Sequence, residues 1–276
     1  MKPSLEGAVV AITGGAQGIG RATAEAMVQR GARVAIGDLD LERVTGVAGE
    51  LGSEAVGLHL DVTDRGSFEE FLDSAESLFG PLDGLVNNAG VMIVGPLEEE
   101  EPAQTAAMIA VNLGGVINGT QLAMMRMKPR RRGRIVNIAS QVGKAGLAGG
   151  ATYCATKSGV IGFSEAVRAE LKGSGVGISW VLPGVVNTDL ATGLPEIGLM
   201  DPLEPTAIAE AVADTMAEGG SEVWVPARNQ WLDAPAKLLP RRARERLLAL
   251  VGADKVLSGA DPEQRKHYED RAAGRS

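Results

Sequence analysis

Two residues in the middle of the chain have the types and spacing for proton chemistry: Tyr153 and Lys157, in the stretch YCATK. Four positions apart on an α-helix they would share one face, with the ammonium close enough to act on the phenol. Free tyrosine has a pKa of about 10, so a phenol working as a base near pH 7.5 needs roughly 3 to 4 kcal/mol of selective help for its anion. An ammonium about 4 to 5 Å away, at an effective dielectric near 20, supplies help of that order. Taken alone, such a pair is more often a helix-surface contact. Other chemistries are poorly served. The one cysteine, Cys154, has no disulfide partner and is expected to be a small buried side chain. The two histidines, His59 and His267, are far apart in sequence with no Cys/His cluster, so no metal site is expected.

Residues separated along a chain act together only if a fold gathers them, and the periodicity predicts which fold. Short apolar runs recur at residues 9–13 (VVAIT), 33–37, 55–60, 84–88, 134–139, 176–182 and 222–226. They are continuous rather than alternating, which suits strands covered on both faces. Between them, segments such as GIGRATAEAMVQRG carry apolar residues three and four apart and stop at glycine, as amphipathic helices do. Strand alternating with helix predicts an α/β fold: a doubly wound parallel sheet of about seven strands, helices on both faces, three layers α/β/α. A single domain is expected over residues 1–226, followed by a helical extension over 227–276.

Glycine, at 37 residues, is spread over strand-to-helix junctions, where backbone can come close to a ligand. The first junction, T-G-G-A-Q-G-I-G (Thr13–Gly20), follows the first strand and opens the first helix. A helix amino terminus presents unpaired N–H groups and a positive dipole end, which suits a pyrophosphate. Gly14, Gly18 and Gly20 fit T-G-x-x-x-G-x-G, one residue longer than G-x-G-x-x-G. The second strand ends at Asp38, whose carboxylate can accept hydrogen bonds from adenosine ribose hydroxyls and would repel a 2′-phosphate. Neither Gln17 nor Leu39 offers a compensating cation, although Arg21 and Arg43 are near in sequence, so NAD(H) is expected over NADP(H). By itself Asp38 would serve equally well as a helix cap.

Further stretches fall in order with the glycine loop: Asp61-Val62, Asn87-Asn88-Ala89-Gly90, Tyr153-x-x-x-Lys157 and Pro183-Gly184. From residue 8 to about 226 the chain resembles the short-chain dehydrogenase/reductase family. The resemblance implies a single Rossmann-like domain and hydride transfer between a nicotinamide cofactor and an alcohol or carbonyl. It implies cofactor contacts from Gly14, Gln17, Gly18, Ile19 and Gly20 in the loop, from Asp38, and from Asp61 and Val62 beside adenine. Asn88, Ala89 and Gly90 would pack beneath the cofactor, and Pro183, Gly184, Val186 and Thr188 would lie along it, Thr188 binding the carboxamide. Tyr153 would be the acid/base. Lys157 would favour its anion and bond the nicotinamide ribose, Ser140 would hold the substrate oxygen, and Asn112 would link Lys157 to a relay water. Singly, these are a strand-end serine, a mid-helix asparagine and a loop hydroxyl. One site explains them jointly. The rival is a catalytically silent dinucleotide-sensing regulator of the same fold, in which Tyr153 or Lys157 should be replaced.

The stretches flanking this set, residues 91–97, 142–152 and 185–200, are mostly small or aliphatic, so the substrate is expected to be a largely apolar secondary alcohol or ketone. Lys144 is the main exception and could meet an acidic group. The third stretch, with Gly193, Pro195 and Gly198, is expected to be either a mobile lid or a structured crossover loop. A net charge of −8 argues against a polyanion binder, and KPRRRGR (128–134) is expected to be a solvated loop, leaving no nucleic-acid partner. The apolar run near the start is too short for a signal peptide and no later run reaches about 18 residues, so a cytoplasmic location is expected. Beyond Pro226 the chain departs from the family. Ala243, Leu247, Leu250 and Val251 form an apolar stripe beside RRARER (241–246), expected to dock on protein, its own domain or a partner subunit, in preference to a membrane. The last stretch, DPEQRKHYEDRAAGRS, is polar and expected to fray. Family members pair through the helices holding Asn112 and Tyr153, so a dimer or tetramer is implied.

Overall fold

Each predicted apolar run is a strand, buried because helices cover both faces of the sheet. The computed structural model describes residues 2–195, 202–231, 240, 242–243, 246, 252 and 255–272. Seven strands, β1 (Val9–Thr13), β2 (Arg33–Asp38), β3 (Ala55–His59), β4 (Gly84–Asn87), β5 (Gly133–Ile138), β6 (Val176–Pro183) and β7 (Glu222–Val225), form one sheet. Its order is β3-β2-β1-β4-β5-β6-β7, with every neighbouring pair parallel. The five inner strands are largely buried, and the edge strands β3 and β7 less so.

Helices α1 (Gly18–Val28), α2 (Leu41–Leu51), α3 (Arg65–Phe79), α4 (Pro102–Ile109), α5 (Val116–Met127), α6 (Ala151–Glu170) and α7 (Pro205–Glu218) make the outer layers. The strand period of two divides the core. Val10, Ile12, Val34 and Ile36 pack toward α1, α2 and α7, whereas Ala11, Ala35, Leu85 and Ile135 pack toward α3, α5 and α6. The chain winds outward in both directions from β1 and β4, and the crevice beyond their carboxyl ends is where such a sheet accepts a ligand.

Between α4 and α5 the helix widens into a π segment, Ala110–Gly115, so Pro102–Met127 is one continuous helix. By length and composition it could cross a membrane. Here Met108, Asn112, Leu122 and Met127 are buried, which makes it a core helix.

The chain ends in a short turn of helix, Lys255–Ser258, and α8 (Pro262–Ala272). The stretch expected to fray is helical over α8, where Arg265 is only 1% exposed. A polar stretch stays ordered because this guanidinium finds fixed acceptors on the main domain, an anchor that hydropathy does not reveal. Of the expected apolar stripe, Leu247, Leu250 and Val251 lie outside the described residues, as does Gly198 of the expected lid.

Candidate active site

At the carboxyl end of β1, Thr13 joins two loops. Its Oγ1 accepts from the amides of Asn88 and Ala89 at 3.0 and 2.9 Å. In return, Asn88 Nδ2 donates to the carbonyls of Thr13 (2.9 Å) and Gly14 (3.0 Å). This leaves no room for side chains: a Cβ on Gly14, where φ is +66°, would lie 2.9 Å from Ala89 Cα, and one on Gly20 would lie 2.0 Å from the Gly14 carbonyl oxygen.

The first turn of α1 differs from those of α2 and α3. Asp40 caps α2 through the Arg43 amide and Asp64 caps α3 through the Gly66 amide, but no side chain caps α1 and no acid lies in its first turn. Its leading N–H groups are therefore available to an anion. Gln17 Oε1 is buried there without a hydrogen-bond partner among the described residues. An uncapped helix, a side-chain-free cradle and an unmatched polar atom fit the diphosphate of a dinucleotide. Asp38 lines the same cleft, its Oδ2 accepting from the Ala16 amide at 3.1 Å. Beyond it, Asp61 is braced by Thr63 and Ser67, and Val62 packs on Gly115 of the π segment. Arg21 and Arg43 both line the cleft with Asp38, Arg21 being held by Glu25 and Glu50.

Helix α6 brings Tyr153 and Lys157 inward, 7% and 5% exposed, so the pair is not a surface contact. Lys157 Nζ lies 5.8 Å from the phenol ring centre and donates to the Ile138 carbonyl at 2.9 Å. Ser140, at the end of β5, accepts from the Val142 amide and faces the same cleft as the Tyr153 phenol. Burial, then the neighbouring phenol of Tyr268, raises the Tyr153 pKa well above its ordinary range, with Ser140 opposing. Burial also disfavours the ammonium of Lys157, pulling it down to about 8.

Asn112 is fully buried in the π segment, a distortion common at functional sites. Its Oδ1 accepts from the Val91 amide, and its Nδ2 donates to the Val91 carbonyl and to Thr156 Oγ1. The carboxamide thus clamps the backbone after β4, with Oδ1 facing Gly90 alongside Lys157 Nζ. Val186 bridges to Leu203, Gly184 bonds the Val225 carbonyl, and the Thr188 side chain lies against Gly18. Asn87, by contrast, is an interior sheet residue bonded to Asn137 and Thr120.

Over the Tyr153 end of the cleft lies α8. The Arg265 guanidinium donates to the carbonyls of Met92 (2.8 Å), Leu190 (3.2 Å) and Thr192 (2.7 Å), and pairs with Glu269. The Tyr268 hydroxyl accepts from the Met92 amide at 3.0 Å, and Val256 and Leu257 pack with Tyr153 and Met92. Residues 185–195 are therefore a tied loop.

Sequence reasoning missed these roof residues. Their signal was faint: the chain has two tyrosines, and both line this cleft. Lys144 is not in the cleft wall. It pairs with Glu222, whose carboxylate burial would raise but whose bonds from Lys144, Trp180 and Trp224 hold low. Cys154 is buried, which pushes its thiol up and leaves it unreactive. Of the basic cluster, Arg130 and Arg132 pair with Asp83, and Arg131 bonds the Gly173 carbonyl. Among the described residues no group of acids, histidines or cysteine forms a metal cluster.

A family model described as short chain dehydrogenase matches residues 8–196. The 2,5-dichloro-2,5-cyclohexadiene-1,4-diol dehydrogenase of Sphingobium indicum is 38% identical over 71% of this chain and 79% of its own. The 3-oxoacyl-(acyl-carrier-protein) reductase of Salmonella typhimurium is 39% identical over 70% and 79%, and the 3-alpha-(or 20-beta)-hydroxysteroid dehydrogenase of Mycobacterium tuberculosis 38% over 71% and 75%. Among solved structures, the 3-ketoacyl-(acyl-carrier-protein) reductase from Brucella melitensis, complexed with NADH, superposes with a TM-score of 0.75 at 29% identity, covering 80% of this chain and 98% of that one.

Proposed function

Because this chain belongs to the short-chain dehydrogenase family, we propose that it is an NAD(H)-dependent oxidoreductase acting on a largely apolar secondary alcohol or ketone, with Tyr153 as general acid/base. The observation that carries this reading is that Ser140, Tyr153 and Lys157 line the same cleft as the glycine loop and Asp38. A nicotinamide dinucleotide bound there would supply the hydride acceptor or donor. The residues to hold it are Gly14, Gln17, Gly18, Ile19 and Gly20 at the phosphates, Asp38 at the ribose, and Asp61 with Val62 at adenine. Asn88, Ala89 and Gly90 lie beneath, and Pro183, Gly184, Val186 and Thr188 lie toward the nicotinamide. Preference for NAD(H) rests on Asp38, whose carboxylate repels a 2′-phosphate. Arg43 and Arg21 line the same cleft, and a cation there favours NADP(H), although Arg21 is engaged by Glu25 and Glu50.

Ser140 holds the substrate oxygen beside the phenol, and Tyr153 exchanges a proton with it. Burial that keeps the phenol protonated suits Tyr153 as the acid in carbonyl reduction. Lys157, largely charged at neutral pH, supplies positive charge beside it, and Asn112 fixes the Val91 backbone. Aliphatic walls from Val142, Leu147, Val185 and Leu190 favour apolar substrates, and the relatives' names share a carbon-bound alcohol or carbonyl. Self-association is proposed through the helices bearing Asn112 and Tyr153, near which Ile109 and Met125 are 48% and 64% exposed.

The test is a panel of ketones and alcohols followed by NADH and NADPH absorbance, with the parent compared against Tyr153→Phe. Ketone-dependent NADH oxidation that disappears in the variant is expected. Retained turnover in the variant removes the proton-transfer assignment.

A further inference from the structure

The chain's second tyrosine has no part in the mechanism above, yet the fold brings it to the same cleft as the first. Its ring is held under the Arg265 guanidinium, 5.4 Å from the ring centre. Its oxygen is fixed by the Met92 amide, which donates to it at 3.0 Å. A phenol that accepts one bond still has a proton to give, and no acceptor for it is found among the described residues. That proton stays on, since burial pushes Tyr268 up to about 12. Met92, Leu190, Leu194, Val256 and Leu257 line the same cleft, with Arg271 of α8 the charged group beside them. A fixed donor between largely apolar walls discriminates strongly, because a ligand without a matching acceptor leaves it unpaired.

The seat of this donor is built with care for position. Arg265 draws its acceptors from two separate loops, Met92 after β4 and Leu190 with Thr192 after β6, and Glu269 both pairs with it and accepts from the Val94 amide. A contact needed only to cover the site could be made by an apolar helix face, whereas this anchor fixes one hydroxyl against one backbone amide.

We propose that Tyr268 is a specificity-determining residue that donates a hydrogen bond to a second oxygen of the substrate, away from the reacting C–O group, so that the preferred substrates are carbonyl compounds carrying another acceptor oxygen. Arg265 is the positioning residue that holds it. This rests on the oxidoreductase reading and names the substrate class within it.

The experiment compares matched pairs: cyclohexanone with cyclohexane-1,4-dione, and 2-hexanone with ethyl 3-oxobutanoate. Each is assayed with NADH in the full chain, in Tyr268→Phe and in Arg265→Lys. The parent is expected to favour the doubly oxygenated member of at least one pair by about tenfold in kcat/KM, the worth of one hydrogen bond. In Tyr268→Phe that preference falls to near parity, through the KM of the doubly oxygenated member. Arg265→Lys loses the preference in part. A preference that survives in Tyr268→Phe, or a parent that has none, overturns the proposal. Affinities of the four compounds for the NADH-loaded protein are measured in parallel by saturation-transfer NMR. If no carbonyl is turned over, the hydride-transfer reading fails, and these affinities still decide the role of Tyr268 by the same comparison.

Discussion

The cleft's two ends are made of different parts. Around Gly14 and Gly20 it is formed by backbone, with loops stitched by Thr13 and Asn88 and no space for a Cβ. Around Tyr153 it is formed by side chains drawn from β5, α6, the π segment and α8. The first end should break when atoms are added and the second when atoms are removed. A phosphate is the same in every dinucleotide and can be met by amides. A substrate differs from protein to protein and needs exchangeable groups.

The largest expected effect removes one oxygen. Tyr153→Phe should lower kcat by about a thousandfold, with dinucleotide affinity measured by titration unchanged, since proton transfer by a placed group contributes roughly 100- to 10,000-fold. Adding one carbon at the other end comes next. A Cβ at residue 20 would meet the Gly14 carbonyl at 2.0 Å and Asn88 Nδ2 at 2.6 Å. Gly20→Ala should therefore cost about 2 to 3 kcal/mol in denaturant unfolding and weaken NADH binding, and an unchanged midpoint would show that the cradle can yield.

A smaller effect tests the border between the ends. Asp38→Asn should keep the bond from the Ala16 amide while removing charge, raising kcat/KM with NADPH relative to NADH by about tenfold. Next comes a pH effect confined to the side-chain end. Lys157 titrates in the fold near 8, below its unfolded value, so between these pKa values the unfolded chain binds more protons and stability rises with pH. From pH 8 to 9.5 the parent should gain on the order of 1 to 2 kcal/mol relative to Lys157→Met. Tyr153, whose pKa is raised, contributes the opposite slope only at higher pH. A difference that is flat across that window would place the ammonium in solvent. The smallest effect is a control: Lys144→Met should leave kcat/KM within about twofold, because Lys144 serves Glu222 outside the cleft.

These contrasts explain what could be read in advance. Strands 9–13 through 222–226 were legible because parallel strands buried on both faces need unbroken apolar runs. The glycine loop was legible because backbone approach restricts residue type, and Tyr153 with Lys157 because a helical turn fixes their spacing. The engagement of Asn112 with Val91 was not, since it depends on a π segment that no local pattern announces. Lys144 looked like a substrate contact in sequence, yet the packing of β6 against β7 brings Glu222 to it instead.

The order of apolar runs and the placement of glycine and polar residues at their ends thus determined the sheet, the glycine cradle and which polar residues could face the cleft, because these follow from short-range periodicity and sterics. Only the tertiary structure decided that the polar tail forms a roof. Arg265 stays ordered through carbonyls more than seventy residues away in sequence, an anchor with no local signature. The same long-range packing set the protonation of Tyr153 and Lys157, since desolvation belongs to the assembled interior and not to either residue.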